Sequence, residues 1–348
     1  MVPVVDLSRR GQRFASAFAT AAERIAASGS FLLGAELSAF ESEFAGWLGA
    51  EHCVAVSSGA GALQLALAAA GIGPGDEVLV PAFTAVPTAS AVAALGAIPR
   101  AIEVDPGTAC ITNAIVAAAR TPRTKAVIVV HLYGYPAEVP TTDLVVIEDA
   151  AQAHGALHDP SRSTATAYSF YPTKNLGGIG DGGAVVTASA DLADRVRTLR
   201  VHGMTTQYVH EIVSQNFRMS ELEAAWLRLA LPELTADIER RRAIVGRYRQ
   251  CAPDLRWQSE HASHAYHLAV FRSADRAATR ASLEAAGVAT AIHYPLAITQ
   301  QPAYRDLHHN ACPEAEAWAV ECISVPCFPE MTEQELDRVC DALAGLGL

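Results

Sequence analysis

The chain has 348 residues, of which 51% are hydrophobic, and it carries a formal net charge of −11. This length exceeds the ~250–300 residues at which a single hydrophobic core stops growing, so we expect two lobes. The acidic balance argues against a nucleic-acid-binding protein, because neutralising phosphates requires clustered Lys and Arg side chains.

The N-terminal segment "SRRGQRF" is superficially similar to a twin-arginine export signal. The residues that follow it include Glu23 and Arg24 within an amphipathic pattern, so we expect a helix of the folded protein instead. The most apolar stretch, "ASAVAALGAI", is too short to cross a bilayer. Seven scattered cysteines without a C-x-x-C pair indicate reduced thiols. The sequence therefore predicts a cytoplasmic protein that does not act on membranes.

Apolar runs alternate with helical patterns along the first two thirds of the chain, which is typical of a mainly parallel sheet covered by helices. Helix candidates include "ALQLALAAAG" and "AVPTASAVAALG", the second with Pro87 in its first turn. We predict an α/β fold with a large domain over residues 1–231. Its seven predicted strands are 53–57, 77–81, 97–104, 126–131, 144–149, 167–171 and 183–187.

Beyond Pro232 the pattern changes to a long polar helix followed by a second alternation of strands and helices. The predicted order is strand "YHLAVF", helix "DRAATRASLEAAG", strand "VATAIHY" and helix "PEAEAWAVECI". A last helix begins at Thr332 and Glu335, which have the spacing of a capping box. We therefore predict a smaller C-terminal α/β domain over residues 232–348.

The segment "CVAVSSGAGALQLAL" runs from a strand into an apolar helix through small residues that include Gly59 and Ala60. Unpaired backbone N–H groups at the positive end of such a helix can hold a phosphate. The same small residues also suit a tight turn with no ligand, so this segment alone leaves both interpretations open.

Two carboxylates, Glu148 and Asp149, end the buried strand "LVVIED", where open α/β sheets place their ligand sites. A buried carboxylate needs a cationic partner, which a structural ion pair or a bound cofactor could supply. His154 follows five residues later and is the histidine that we expect nearest to such a site.

Lys174, in "SFYPTKNLGGIGDGGAVVT", is one of only two lysines, the other being Lys125, whereas 24 of the 26 basic residues are arginines. A guanidinium can replace a surface ammonium, but it stays protonated and cannot form a Schiff base. The string "GIGDGG" precedes a strand instead of opening a helix, so it does not indicate a dinucleotide-binding fold. A phosphate-binding turn, a strand-end carboxylate and a reactive lysine together fit pyridoxal 5'-phosphate.

The chain also resembles the DegT-type (DegT/StrS) sugar aminotransferase family, which are pyridoxal-phosphate enzymes of fold type I. The resemblance extends along nearly the whole chain. It is carried, in family order, by "SGSFLLGAELSAFESEFAGWLG", "VSSGAGALQLAL", "VLVPAFTAVPTASAV", "VHLYGYPAE", "IEDAAQAHGA", "YSFYPTKNLGGIGDGGAVVT", "QNFRMSELEAA" and "IHYPLA".

The resemblance implies a role for each matching site residue. Lys174 would form the Schiff base with the cofactor and then move the proton between substrate and cofactor carbons, which requires a lowered pKa. Asp149 would pair with the pyridine nitrogen, and Gln152 would lie near the ring hydroxyl.

The resemblance also implies how the phosphate is held. Ser169 and the backbone at Gly59 and Ala60 would bind it within one chain. Asn216 would reach the phosphate of a neighbouring subunit, which implies a homodimer with shared active sites.

Two positions depart from the family pattern. Ala60 replaces a threonine whose hydroxyl often contacts the phosphate, and Ala85 replaces an aromatic residue that often covers the cofactor ring. Phe83 is a candidate for supplying the missing ring. The segment 156–166 is shorter than usual, and no role is assigned to it.

The implied reaction transfers an amino group from an amino acid, L-glutamate, to a nucleotide-linked keto sugar through pyridoxamine phosphate in a ping-pong scheme. Local basic groups would attract the anionic substrate, and His202, Arg218 and His293 are the candidates. We expect substrate contacts from His154, His293 and Tyr294.

Three alternatives remain open. The first is a sugar dehydratase, against which Lys174 argues because such relatives carry histidine there; the others are a cyclitol aminotransferase and a non-catalytic binding protein. His261, His264 and His267 are spaced three apart, but the run enters a predicted strand, so we expect no metal site.

Overall fold

The computed structural model describes residues 1–156, 160–305 and 311–346 and contains a seven-stranded sheet, a three-stranded sheet and a two-stranded hairpin. The strands of the seven-stranded sheet are β1 (His52–Val56), β2 (Glu77–Pro81), β3 (Ile98–Ile102), β4 (Thr124–Val130), β5 (Val145–Asp149), β6 (Ala165–Ser169) and β7 (Gly183–Thr187). The remaining strands are β8 (Met204–Thr206), β9 (Val209–His210), β10 (Arg256–Trp257), β11 (Ala269–Arg272) and β12 (Cys322–Val325).

The large sheet has the order β1-β7-β6-β5-β4-β2-β3, and β7 alone runs antiparallel to its neighbours β1 and β6. Its strands are apolar runs buried almost throughout, as expected for a sheet covered on both faces. All seven strands predicted from the sequence are confirmed, with boundaries shifted by up to two residues. The carboxyl ends of β1, β4, β5 and β6 meet at one edge of the sheet.

Helices cover both faces of this sheet and surround the smaller one. They are α1 (Leu7–Ser28), α2 (Ala35–Leu48), α3 (Gly59–Ala69), α4 (Val86–Ala93), α5 (Asn113–Ala119), α6 (Ala190–Arg200), α7 (Glu221–Ala230), α8 (Leu234–Cys251), α9 (Arg276–Ala285), α10 (Pro313–Glu321) and α11 (Glu333–Ala344). The capping box predicted at Thr332 and Glu335 is present at the start of α11. No helix in these described ranges is long and apolar enough to cross a membrane.

The C-terminal third differs from its prediction in two places. Residues 288–294 form no strand, and they make only isolated bridges, Val2 to Val288 and Ala291 to Ser324. The helix predicted over 313–323 ends at Glu321, and the chain continues directly as β12, all four residues of which pair with β11. The segment 288–294 is therefore held between the N-terminus and β12 instead of extending the sheet.

Candidate active site

A cavity of about 240 Å³ lies at the edge of the large sheet where β4, β5 and β6 end. Residues from six separate segments line it: Ser58, Gly59, Ala60, Leu63, Thr84, Ala85, Pro87, Val130, Leu132, Asp149, Ala151, Gln152, Ser169, Tyr171, Lys174 and Asp181. Six of the residues predicted from the sequence are thus brought together here: Gly59, Ala60, Asp149, Gln152, Ser169 and Lys174.

The start of α3 packs so closely on the sheet that only glycine fits. A Cβ atom on Gly59 would lie 2.5 Å from the Cβ of Ser169, and one on Gly183 would lie 2.3 Å from the carbonyl oxygen of Ser58. The Ser58 hydroxyl caps the helix by accepting a hydrogen bond from the N–H of Gly61 at 3.0 Å. This close approach sets the first turn of α3, with its positive dipole end, against the Ser169 side chain.

Asp149, the last residue of β5, faces the cavity with a carboxylate that is 6% exposed. Burial raises its pKa, while the hydroxyl of Thr88 donates a 2.9 Å hydrogen bond to Oδ2 and the N–H of Ala151 donates to Oδ1, both of which oppose that rise. Thr84 lies 3.2 Å from Thr88. A buried carboxylate held in this way suits a cationic ligand group.

Lys174 lies in the loop between β6 and β7 and projects into the same cavity. Burial lowers the pKa of its ammonium to about 8, and the charge of Asp149 partly offsets this effect. Its backbone is fixed, because its N–H donates to the carbonyl of Tyr171 and its carbonyl accepts from Arg10 at 3.0 Å. A neutral amine is therefore accessible just above neutral pH, as the sequence argument requires.

The Gln152 amide connects two parts of the wall. Its Oε1 accepts from the N–H of Tyr133 at 2.6 Å, and its Nε2 donates to the hydroxyl of Tyr294 at 3.0 Å. The Tyr133 hydroxyl in turn donates to the carbonyl of His293. These bonds hold the segment with His293 and Tyr294 against the turn that follows β4.

A second cavity, of about 330 Å³, adjoins the first and shares Gln152, Tyr171 and Lys174 with it. The remaining residues of its wall are Val4, Val5, Thr173, Arg241, His267, Leu268, His293, Tyr294 and Cys327. The predicted substrate residues His293 and Tyr294 therefore lie in this second cavity, with Lys174 between the two spaces.

His154 is not brought to either cavity. Its side chain is fully buried between the rings of Phe44, Tyr168 and Phe170, and burial lowers its pKa to about 3. The expectation that it contacts substrate came from its closeness to Asp149 in the chain. The turn after β5 directs the ring into the core instead.

Asn216, His202 and Arg218 lie away from both cavities, beside the exposed β8–β9 hairpin. Asn216 is exposed, and its Oδ1 accepts from the backbone and side chain of Arg218. His202 pairs through its carbonyl with the ring of His210. Within a single chain, none of the three contributes to the site.

The departures at Ala60 and Ala85 leave short side chains on the wall of the first cavity. Phe83 does not replace the missing ring, because it is fully buried, stacked on Trp318 at 5.9 Å and packed edge-on against Tyr133. The segment 156–166, to which no role is assigned, includes residues 157–159, which lie outside the described residues. Leu63, Leu132 and Pro87 supply apolar side chains to the wall of this cavity.

Four residues at the site have no role predicted from the sequence. Arg241 and His267 line the second cavity, whereas Thr88 and Tyr133 lie behind the wall and hydrogen-bond to Asp149 and Gln152. Thr88 lies within an apolar helix and Arg241 within a basic run, so neither stands out by composition. The signal that could have found Thr88 is its position in the first turn of a helix that follows a strand end.

The chain is similar to known proteins along nearly its whole length. The DegT/DnrJ/EryC1/StrS aminotransferase family matches residues 13–344. The UDP-N-acetyl-3-dehydro-alpha-D-glucosamine 3-aminotransferase of Acidithiobacillus ferrooxidans is 40% identical, with 98% of this chain and 97% of the relative covered. The dTDP-3-amino-3,4,6-trideoxy-alpha-D-glucose transaminase of Streptomyces venezuelae is 39% identical, covering 98% and 95%.

A solved structure, S. venezuelae DesV in complex with a ketimine intermediate, superposes with a TM-score of 0.94 at 38% identity and covers 99% of this chain and 97% of that one. The fold expected from the resemblance, that of the pyridoxal-phosphate aminotransferases, is therefore confirmed. The protein belongs to the DegT/DnrJ/EryC1/StrS aminotransferase family.

Proposed function

We propose that this protein transfers an amino group from L-glutamate to a nucleotide-linked keto sugar with the help of pyridoxal 5'-phosphate. The observation that carries the proposal is the single cavity in which Lys174 faces the buried carboxylate of Asp149 beside the start of α3. The relatives named above act on nucleotide sugars, and both names place the amino group at carbon 3. A 3-keto sugar nucleotide is accordingly the first acceptor to test.

The residues of the cavity fit the cofactor. Asp149 would pair with the ring nitrogen, and the close packing of Gly59 on Ser169 leaves the backbone at the start of α3 open to a phosphate. Gln152 would lie beside the ring hydroxyl, and Lys174 would attach the aldehyde. When bound, pyridoxal phosphate supplies an electron sink that stabilises the carbanion formed by loss of a proton from the substrate.

Lys174 moves the proton in both halves of the reaction. With a pKa of about 8, the amine of Lys174 would take a proton from the donor carbon and, once protonated, would deliver it to the cofactor carbon without a large energetic cost. Thr88 and the N–H of Ala151 donate to Asp149 and favour its ionised form, which opposes the rise in pKa that burial causes. The negative charge of Asp149 would favour a protonated ring nitrogen in the bound cofactor, which is the state that withdraws electrons.

We further propose a homodimer in which Asn216 completes the site of the partner. Exposed apolar side chains support this assembly, because large apolar groups on a surface mark interaction sites. They include Phe31, Leu33, Tyr208 and Val213, and the last two flank the hairpin beside Asn216. Mixing Lys174→Arg protein with Asn216→Ala protein should restore activity, since each heterodimer then contains one intact site. No recovery on mixing would contradict shared sites.

The division into two domains at residue 231 is also a proposal. It is supported by the three-stranded sheet after α8, which has a hydrophobic cluster of its own built from residues such as Val245, Phe271, Ile323 and Leu336. A few residues of this part, Trp318 among them, pack instead into the core of the large sheet. Limited proteolysis should therefore release no freely folding C-terminal fragment.

The function is tested on purified protein loaded with pyridoxal phosphate. Adding L-glutamate alone should remove the visible absorbance of the bound cofactor and release one equivalent of 2-oxoglutarate per site. A panel of keto-sugar nucleotides, beginning with 3-keto sugars, should then restore the absorbance and yield the amino sugar. Absence of both changes with every donor and acceptor would contradict the proposal.

The matched pair of lysine variants tests the role of the amine. Lys174→Arg should lose at least ~1,000-fold in turnover, because a guanidinium neither forms the Schiff base nor transfers the proton. Lys125→Arg, at the exposed second position of β4, should keep normal activity. A Lys174→Arg protein that still turned over would refute the assignment.

A further inference from the structure

Arg241 is a buried cation with an incomplete set of partners. It lies on α8 with only 1% of its surface exposed and lines the second cavity. Its Nη1 donates to the carbonyl groups of Tyr266, His267 and Cys327, whereas its Nε has no hydrogen-bond partner. Among the residues that the structure describes, no carboxylate lies within ion-pair distance of this guanidinium.

Two other buried arginines of the chain are neutralised at short range. Arg200 pairs with Glu41 at 2.7 Å, and Arg272 pairs with Glu321 at 2.7 Å. A buried charge without a counter-ion costs several kcal/mol, so such groups are normally paired. The different environment of Arg241 indicates that its counter-ion comes from outside the chain.

The cavity supplies a second unpartnered polar group beside Arg241. His267 is 6% exposed and its Nδ1 has no hydrogen-bond partner. Burial, together with the charges of Lys174 and Arg241, lowers the pKa of His267 well below its usual range, so the ring is neutral and can donate one N–H. His293 lies on the same wall, with its Nδ1 2.9 Å from the Ser324 hydroxyl.

The position of the cavity relates this anion site to the chemistry. Lys174, Tyr171 and Gln152 form the boundary between the two cavities, so a ligand in the second cavity can reach the amine of Lys174. Its volume of about 330 Å³ lies at the small end of ligand pockets, which suits an amino acid better than a nucleotide sugar.

We propose that Arg241 and His267 form a carboxylate subsite that holds the amino donor next to Lys174. The proposal rests on the proposed function and extends it by naming the groups that select the donor. Arg241 binds the carboxylate through charge-assisted hydrogen bonds from its free N–H groups, and His267 donates a further one. A carboxylate on an acidic keto sugar has the same chemistry, and the experiment separates these two sources.

The test uses holoenzyme and measures each half of the reaction separately. Arg241→Gln should raise the half-saturating L-glutamate concentration by about tenfold to a hundredfold, the value of a charge-assisted hydrogen bond. The reaction of the pyridoxamine form with a neutral keto-sugar nucleotide should be unchanged. Arg241→Lys should recover part of the loss, because it restores the charge.

Arg240→Gln is the matched control. Arg240 lies on the same helix but faces outward, where it binds Glu333, and its replacement should leave both halves unchanged. His267→Gln provides a second test at a side chain with fewer structural bonds, and a severalfold rise in the half-saturating glutamate concentration is expected. If the loss of three carbonyl contacts prevents Arg241→Gln from folding, the result for His267→Gln decides whether the subsite exists.

Glutarate, which has both carboxylates of the donor but no amine, gives a readout that does not depend on turnover. It should raise the melting temperature of the wild-type holoenzyme and of Arg240→Gln, and it should have no such effect on Arg241→Gln or His267→Gln. Stabilisation of these two variants to the wild-type extent would overturn the subsite.

The outcomes are distinguishable. If the variants and the wild type depend on glutamate equally, the subsite is wrong while the proposed function stands. If the variants are impaired only with an acidic keto sugar, the carboxylate belongs to the acceptor and the donor assignment is overturned. If the wild type reacts with no amino acid, the proposed function itself fails.

Discussion

Replacing Thr88 by valine tests how the protein keeps Asp149 ionised. Thr88 is fully buried, and its hydroxyl donates to Oδ2 of Asp149 at 2.9 Å. Valine has the same shape, so the variant removes the hydrogen bond to Asp149, together with the one that Thr88 shares with Thr84, and leaves the packing of α4 unchanged.

The magnitude follows from the kind of bond that is lost. A hydrogen bond to a charged group contributes about 1.5–3 kcal/mol, and its loss leaves the burial of the carboxylate less compensated. If cofactor binding requires ionised Asp149, affinity for pyridoxal phosphate should fall by about 10- to 150-fold. Burial already raises the pKa of Asp149, and losing Thr88 removes an opposing effect. The acid limb of the activity profile should therefore move to higher pH.

Cofactor titration followed by visible absorbance measures the affinity, and kcat/KM between pH 5 and pH 8 measures the acid limb. Thr84→Val is the matched control. Thr84 lines the first cavity, as Asp149 does, and contacts Thr88, but it does not contact Asp149. Its effects should be severalfold smaller. Wild-type cofactor affinity together with an unshifted acid limb in Thr88→Val would refute the reasoning.

Three further predictions concern the same cavity. Gly59→Ala should destabilise the protein by about 1–3 kcal/mol in urea unfolding, because the added Cβ meets Ser169 at 2.5 Å, whereas Gly46→Ala in α2, with open space around it, should not. Lys174→Met should raise the melting temperature of cofactor-free protein at pH 7, because it removes a buried ammonium. Since burial lowers the pKa of Lys174 to about 8, the cost of burying its charge lowers wild-type stability fully below pH 8 and is relieved as pH rises toward 10. The difference in melting temperature between variant and wild type should therefore shrink over that range. Ala60→Thr should tighten cofactor binding up to about tenfold in the same absorbance titration, by adding one hydroxyl at the start of α3.

Much of the fold could be read from the sequence because its central strands are buried on both faces and therefore appear as short, continuous apolar runs. The site could be located because its main groups follow strand ends or precede a helix. Lys174 was conspicuous for a chemical reason, since arginine has replaced lysine almost everywhere else.

The parts that could not be predicted depend on tertiary contacts. The run 288–294 alternates like a strand, but the N-terminus and β12 hold it at single bridges. His154 and Thr88 each follow the end of a strand of the large sheet, yet the His154 ring enters an aromatic cluster while the Thr88 hydroxyl reaches Asp149. The lack of an ion-pair partner for Arg241 cannot be predicted from the sequence, because it arises only when α8 packs against the backbone of Cys327.

The two hydrogen bonds of the Gln152 side chain help to determine from which side molecules enter the first cavity. Because this amide joins Tyr133 to Tyr294, its two bonds hold in place the wall that the first cavity shares with the second. The exposed residues around the first cavity are Pro87, Tyr171 and Asp181. Molecules that enter the first cavity therefore pass this rim, so a bulky substitution at Tyr171 would restrict exchange through it without altering any reacting group.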